Sequence, residues 1–168
     1  MSGTRTPSLR VGLGFDVHAF GGDGPVVLGG VEIASAVGLA GHSDADVAAH
    51  AVADALLGAV GLPDLGTLFP ASDDAYRDAS SIELLREVVA RVADAGWCVS
   101  NVDVVIAAER PALADHIGAM ATNLGEVLGA PVSVKPKRTE GVGAVGRGEG
   151  IAAWAVALVA SRKDDGSD

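Results

Sequence analysis

This sequence is poor in cysteine, aromatics and positive charge, and each shortage closes off a class of protein. One cysteine, Cys98, leaves no intrachain disulfide framework and no cysteine-built zinc site. Beside Trp97 in an apolar run it reads as a small core residue. Aromatic residues make up 4% of the 168 positions, so a core must be packed from Ala, Val and Leu. Lys and Arg number 12 against 22 Asp and Glu, a formal charge of −10, with no basic stripe to neutralise nucleic-acid phosphates. No apolar run reaches the roughly 18 residues of a membrane span. No secretory signal pattern opens the sequence, so a soluble, cytoplasmic protein without a membrane partner is expected.

What is present is a 49% hydrophobic composition and 23 glycines, suited to one α/β domain with functional backbone loops. That domain is expected to cover residues 9–160, with 1–8 and 161–168 as flexible polar tails. The periodicity predicts a first strand through Gly12–Phe20 and short strands at 26–28 and 31–33 around Gly29-Gly30. Helices are predicted from an N-cap at Ser43 or Asp44 to about Gly61, from Ser80 or Ser81 to Gly96, and from about 113 to 128. Strands are predicted at 97–108, 131–135 and 151–159. The order predicts an α+β sandwich, a mixed sheet with helices on one face.

The first strand carries the first chemical signal. Val11, Leu13, Phe15 and Val17 fall on one side and Asp16 and His18 on the other, their side chains sharing a face of the pleat. A carboxylate and an imidazole side by side are half of a divalent-metal site. The other half is sought in His42-Ser43-Asp44-Ala45-Asp46-Val47-Ala48-Ala49-His50, where Ser43 or Asp44 is read as the helix N-cap. His50 lies on the helix with Asp46 and Asp54 at i−4 and i+4 beside it, and Asp46 or Asp54 is expected to orient it. Two His and one Asp with an open fourth position make the donor set of a catalytic rather than a structural zinc site. The plain alternatives are a solvated strand face and a packed core histidine.

The second signal is Gly141-Val142-Gly143-Ala144-Val145-Gly146, which matches G-x-G-x-x-G. Too little chain follows for a dinucleotide-binding unit, so the loop reads as a phosphate clamp. Lys135, Lys137, Arg138 and Arg147 around it are expected to form a local well for an anionic small molecule.

Gly-Phe-Asp-Val-His (14–18), the 42–50 stretch, Asp-Leu-Gly-Thr-Leu-Phe-Pro (64–70) and Gly-Arg-Gly-Glu-Gly-Ile-Ala (146–152) occur in this order in one chain. The chain resembles the 2-C-methyl-D-erythritol 2,4-cyclodiphosphate synthase family of the non-mevalonate isoprenoid pathway. The resemblance implies a ferredoxin-like unit assembled as a homotrimer, with active sites between subunits. It implies a lyase that cyclises 4-diphosphocytidyl-2-C-methyl-D-erythritol 2-phosphate and releases CMP. It implies zinc on Asp16, His18 and His50, and a second ion, magnesium or manganese, on Glu140. His42 and Ser43 would lie over the reacting phosphate, and Asp64, Leu65 and Gly66 at the methylerythritol hydroxyls. Residues 108–114, Ala108 and Pro111 among them, would present backbone groups to the cytidine, with Lys137 and Thr139 also on the substrate. Arg147 would point to the threefold axis, where an isoprenoid diphosphate can bind. Where the family usually runs threonines before the loop glutamate, this chain has Lys137-Arg138-Thr139, which puts Arg138 at the charge of the transition state. Ala112 follows Pro111 where a lysine is common, and Ala144 replaces a bulky apolar residue. The altered loop leaves open a catalytically weakened trimer that senses isoprenoid diphosphates.

Overall fold

The computed structural model describes residues 8–41, 43–70, 72–73 and 79–162. The strands are β1 (Leu9–Gly22), β2 (Val26–Leu28), β3 (Val31–Ile33), β4 (Gly38–Leu39), β5 (Trp97–Ala107), β6 (Val132–Lys137) and β7 (Gly150–Ser161). The helices are α1 (Val47–Val60), α2 (Leu65–Leu68), α3 (Ser81–Asp94), α4 (Ile117–Leu128) and α5 (Gly143–Gly146). A 3-10 turn, Ala114–His116, leads into α4. The predicted helix over 113–128 is thus a 3-10 entry followed by α4.

One five-stranded sheet runs β4-β1-β7-β5-β6, and β2 and β3 form a separate hairpin. β7 is antiparallel to both β1 and β5, while β5 and β6 are parallel across α4. The sheet is therefore mixed, as expected. β4, two residues pairing with the end of β1, leaves no signal in the sequence because two residues carry no period. Ser8 and Ser161, expected in the tails, pair with each other, Ser161 N–H donating to the Ser8 carbonyl at 2.8 Å.

The two faces of β1 are used in an unexpected way. Val11, Leu13, Phe15 and Val17 are each about half exposed or more, Leu13 at 67%. With Trp154 and Val156 of β7 they make an apolar face that no helix among the described residues covers; the Phe15 and Trp154 rings lie 5.1 Å apart. The opposite face, carrying Gly12, Gly14, Asp16 and His18, is the one that meets α1. A Cβ added at Gly12 would stand 1.8 Å from the Ala55 carbonyl oxygen, and one at Gly14 1.9 Å from that of Ala51. Only hydrogen fits there. Buried Ala51 and Ala55 on α1, and Ala153, Ala155 and Ala157 on β7, keep the interface equally thin. The scarcity of aromatics is thus a packing requirement.

The start of α1 is fixed by Asp46, not by Ser43 or Asp44. Its buried carboxylate accepts the amides of Ala48 and Ala49 as an N-cap. It also accepts Gly29 N–H at 2.9 Å and Gly30 N–H at 2.7 Å from the β2–β3 turn. Both glycines have positive φ, as a two-residue hairpin turn of this kind requires.

Two glycine substitutions should move stability in opposite directions. Gly14→Ala should destabilise by about 1–3 kcal/mol or more, because α1 must be displaced. Gly58→Ala, at an exposed α1 position with nothing within 4 Å of the new methyl, should stabilise by about 0.5–1 kcal/mol. Urea midpoints of the two variants against the parent check both signs.

Candidate active site

Asp16 and His18 leave β1 toward α1, and the thin interface brings His50 to them. One ligand atom from each of the three lies within 4.8 Å of the others, a grouping that can hold a metal ion. Asp16 Oδ2 is 3.0 Å from His18 Nε2 and 2.9 Å from His50 Nδ1. The two rings are 5.5 Å apart. Burial pushes the Asp16 carboxyl up, but when both rings are protonated their hydrogen bonds and charge outweigh it and hold Asp16 well below the usual carboxylate range.

The far nitrogen of each ring decides what the near one offers. His18 Nδ1 lies 2.7 Å from the Ala40 carbonyl, which only accepts, so Nδ1 carries the proton and donates. In the neutral ring Nε2 then presents a lone pair to Asp16. His50 Nε2 is 2.8 Å from Ser81 Oγ, and the Ser81 hydroxyl proton is committed to the Asp44 carboxylate. Ser81 is therefore the acceptor, His50 Nε2 carries the proton, and Nδ1 faces Asp16 with its lone pair. In the neutral rings two imidazole lone pairs and a carboxylate oxygen are thus grouped within 4.8 Å of one another. Such a set asks for a cation, and it suits zinc by composition.

The residues orienting His50 are not the predicted Asp46 and Asp54. Asp46 is spent on the caps described above, and Asp54 accepts the Leu65 amide at 2.8 Å, tying α2 to α1. Their place is taken by Ser81 and Asp44, with Ser43 Oγ 3.3 Å from His50 Nε2. Asp44 also accepts the Ser81 amide at 3.1 Å, so the chain Asp44–Ser81–His50 is closed at both ends. Ala45 between the two aspartates sits at φ 53, a strained conformation for alanine that the Asp44 and Asp46 anchors maintain. Ser81 lies 31 positions from His50, so no local pattern announces it.

A second cluster lies at the same end of the sheet, beyond the C-terminal ends of β5 and β6. A cavity of about 240 Å³ is lined by Ala108, Glu109, Pro111, Leu113, Lys137 and Arg138, among others. The Ala108 amide donates to the Lys137 carbonyl at 2.9 Å and joins two of the cavity's lining residues. Glu109 accepts from Arg138 and from both the amide and the hydroxyl of Thr139. No hydrogen bond or ion pair among the described residues links this cluster to the Asp16–His18–His50 group.

A sequence profile described as the YgbB family matches residues 9–160. The chain belongs to that family. A relative from Erwinia tasmaniensis, 53% identical over 154 residues and covering 90% of this chain and 98% of its own, is named 2-C-methyl-D-erythritol 2,4-cyclodiphosphate synthase. One from Symbiobacterium thermophilum bears the same name at 52% identity, covering 92% of this chain and 100% of its own. Among solved structures, the bifunctional IspDF of Campylobacter jejuni matches with a TM-score of 0.89 and 38% identity over 93% of this chain. The chain spans 43% of that bifunctional protein. The CDP complex of IspF from Plasmodium falciparum matches with a TM-score of 0.79 and 30% identity, over 92% of this chain and 97% of its own. The expectation drawn from the four motifs is met, and the chain is an enzyme of the cyclodiphosphate synthase type.

The remaining positions marked for this family fall as follows. His42 lies outside the described residues. Asp64 caps α2 by accepting the Thr67 amide at 2.7 Å, with Leu65 and Gly66 in the first turn. Glu140 occupies a left-handed turn at φ 52, and the Gly-rich stretch after it is the single turn α5 and not the start of a long helix, which disposes of the dinucleotide alternative. Arg147 pairs with Glu149 at 2.6 Å.

Removing the Ser81 hydroxyl should free the His50 tautomer. Ser81→Ala is expected to lower zinc affinity about 10–100-fold with the fold retained. A chelator-competition titration checks it, and parental affinity would show that Ser81 does not orient His50.

Proposed function

We propose that the protein is a metal-dependent cyclase that converts 4-diphosphocytidyl-2-C-methyl-D-erythritol 2-phosphate to 2-C-methyl-D-erythritol 2,4-cyclodiphosphate plus CMP, in cytoplasmic non-mevalonate isoprenoid biosynthesis. The observation that carries it is the convergence of Asp16, His18 and His50 in a chain so close to named synthases. The solved relatives with CDP bound support a cytidine-diphosphate-linked substrate.

The substrate's 2-phosphate is already ionised, so the reaction needs no protein nucleophile. A 2-phosphate oxygen attacks the β-phosphorus, the bond from that phosphorus to the CMP phosphate oxygen breaks, and its electron pair leaves on CMP. The task for the protein is to bring two anions together in line. Asp16, His18 and His50 would hold a divalent ion, zinc by donor set, and Glu140 a magnesium or manganese ion; these supply charge neutralisation when bound. His42 and Ser43 would confine the reacting phosphate. Asp64, Leu65 and Gly66 would take the methylerythritol hydroxyls, Asp64 being exposed and anchored at the start of α2. Ala108 and Pro111 would face the cytidine from the cavity wall, with Lys137, Arg138 and Thr139 beside its phosphates.

The reading includes a homotrimer of ferredoxin-like units. The uncovered apolar face of β1 and β7 supports it, because Val11, Leu13, Phe15, Val17, Trp154 and Val156 form a contiguous patch of the kind a partner subunit covers. The separation of the two clusters within one chain also fits a site completed between subunits. Arg147 would face the threefold axis and any isoprenoid diphosphate there. Nothing in the site favours the ligand-sensing alternative.

Three measurements test the reading. Purified protein with zinc and magnesium should release CMP and the cyclic product, and absence of CMP release from metal-loaded trimer would end the proposal. His50→Ala should lose zinc by elemental analysis and lower turnover by about 10³-fold or more, since such an ion contributes several kcal/mol at the transition state. Leu13→Asp should convert a trimer to monomer in light scattering; a parental protein that is monomeric would remove the assembly from the reading.

A further inference from the structure

Glu109 has no part in the chemistry so far, yet it is the most heavily engaged carboxylate at the cavity. It lies two residues past the end of β5, and its side chain is only 15% exposed while Arg138 beside it is 71% exposed. One oxygen, Oε1, accepts the Thr139 amide at 2.7 Å and the Thr139 hydroxyl at 3.0 Å. The other, Oε2, accepts Arg138 Nε at 3.2 Å and Nη2 at 3.1 Å. The two oxygens thus hold two consecutive residues of the β6–α5 loop, one by its backbone and one by its guanidinium.

Among the described residues only the Nε and Nη2 edge of Arg138 has a partner, and its Nη1 donors have none at the rim of the Ala108–Lys137 cavity. A free arginine would give up its rotamer freedom on closing over an anion, whereas this one has already lost it to Glu109. The pairing also cancels much of the arginine's net charge, so what remains is directional hydrogen bonding. Lys137, which has no ion-pair partner among the described residues, supplies the unspent charge on the same rim.

We infer that Glu109 is a positioning residue, which presents the outward edge of Arg138 to a phosphate of the nucleotide seated in this cavity. The inference rests on the cyclase reading and adds to it a residue that acts only through Arg138.

Glu109→Gln is the discriminating variant. An amide oxygen can still accept from Thr139, while its NH2 group turns donors toward the guanidinium and releases it. We expect KM for the cytidine substrate to rise about tenfold, the scale of one charge-assisted hydrogen bond, with CDP affinity falling in parallel. Arg138→Thr should reproduce the loss, and the double variant should be no worse than Arg138→Thr alone. Additive losses would mean that Glu109 acts through the loop backbone, and unchanged KM and CDP affinity in Glu109→Gln would mean that it positions nothing; either overturns the inference. If Glu109→Gln fails to melt cooperatively, Arg138→Thr with parental KM and CDP affinity overturns it equally. Parental protein that neither binds CDP nor turns over would end the cyclase reading, and this inference with it.

Discussion

The structure depends on how closely α1 can approach β1. Hydrogen at Gly12 and Gly14 lets the carbonyls of Ala55 and Ala51 lie where a Cβ would stand. Helices usually pack on sheets through layers of large side chains, and here the layer is nearly missing on the β1 side. The gain is reach. A histidine side chain is short, and His50 meets the carboxylate of Asp16 at 2.9 Å only because the two backbones are so near. The metal-binding group and the core are therefore one design, in which small residues create stability and geometry together.

The same approach sets the rotation of α1 about its axis, and Asp46 sets its height. Four backbone amides, from Gly29, Gly30, Ala48 and Ala49, converge on that buried carboxylate. An ionised group in the core is costly unless its lone pairs are filled, and these are filled by donors from two separate elements. The hairpin tip and the helix start are thereby locked together. Asp44, two residues earlier, reaches instead for Ser81 at the start of α3 and through it for His50. Two aspartates on either side of a strained Ala45 thus serve different partners, one holding the helix and one holding the ligand.

Much of this was legible in the sequence, and the parts that were not have physical reasons. The period of two in a strand put Asp16 and His18 on one face, and helical spacing put His50 on the next element. The side facing the core was misleading: four large apolar residues on β1 look like a core face, yet they point outward. The inward positions had to be glycine, so the hydrophobic pattern marked an exposed face in place of the interior. Asp46 was read as a possible partner of His50 because i−4 neighbours touch on a helix, but a residue at the N-cap is not yet on the helical surface. Ser81 and Glu109 could not be found from spacing, since each acts across some thirty residues of chain.

The charge argument also changes once pairings are known. An acidic protein of net charge −10 was expected to draw anions to a well made by Lys135, Lys137, Arg138 and Arg147. Lys135 instead pairs with Asp103, Arg138 with Glu109 and Arg147 with Glu149. Each pair is close to neutral at a distance, so long-range attraction falls to Lys137 and to whatever cations the site holds. At contact distance the balance reverses, because a paired arginine still has donors to spare and holds them in a fixed direction. On the cyclase reading, cations would bring a polyphosphate into such a site, and Arg138 would fix where one of its oxygens comes to rest. This division suits a reaction in which two phosphates of one molecule must be held in line and nothing on the protein has to react.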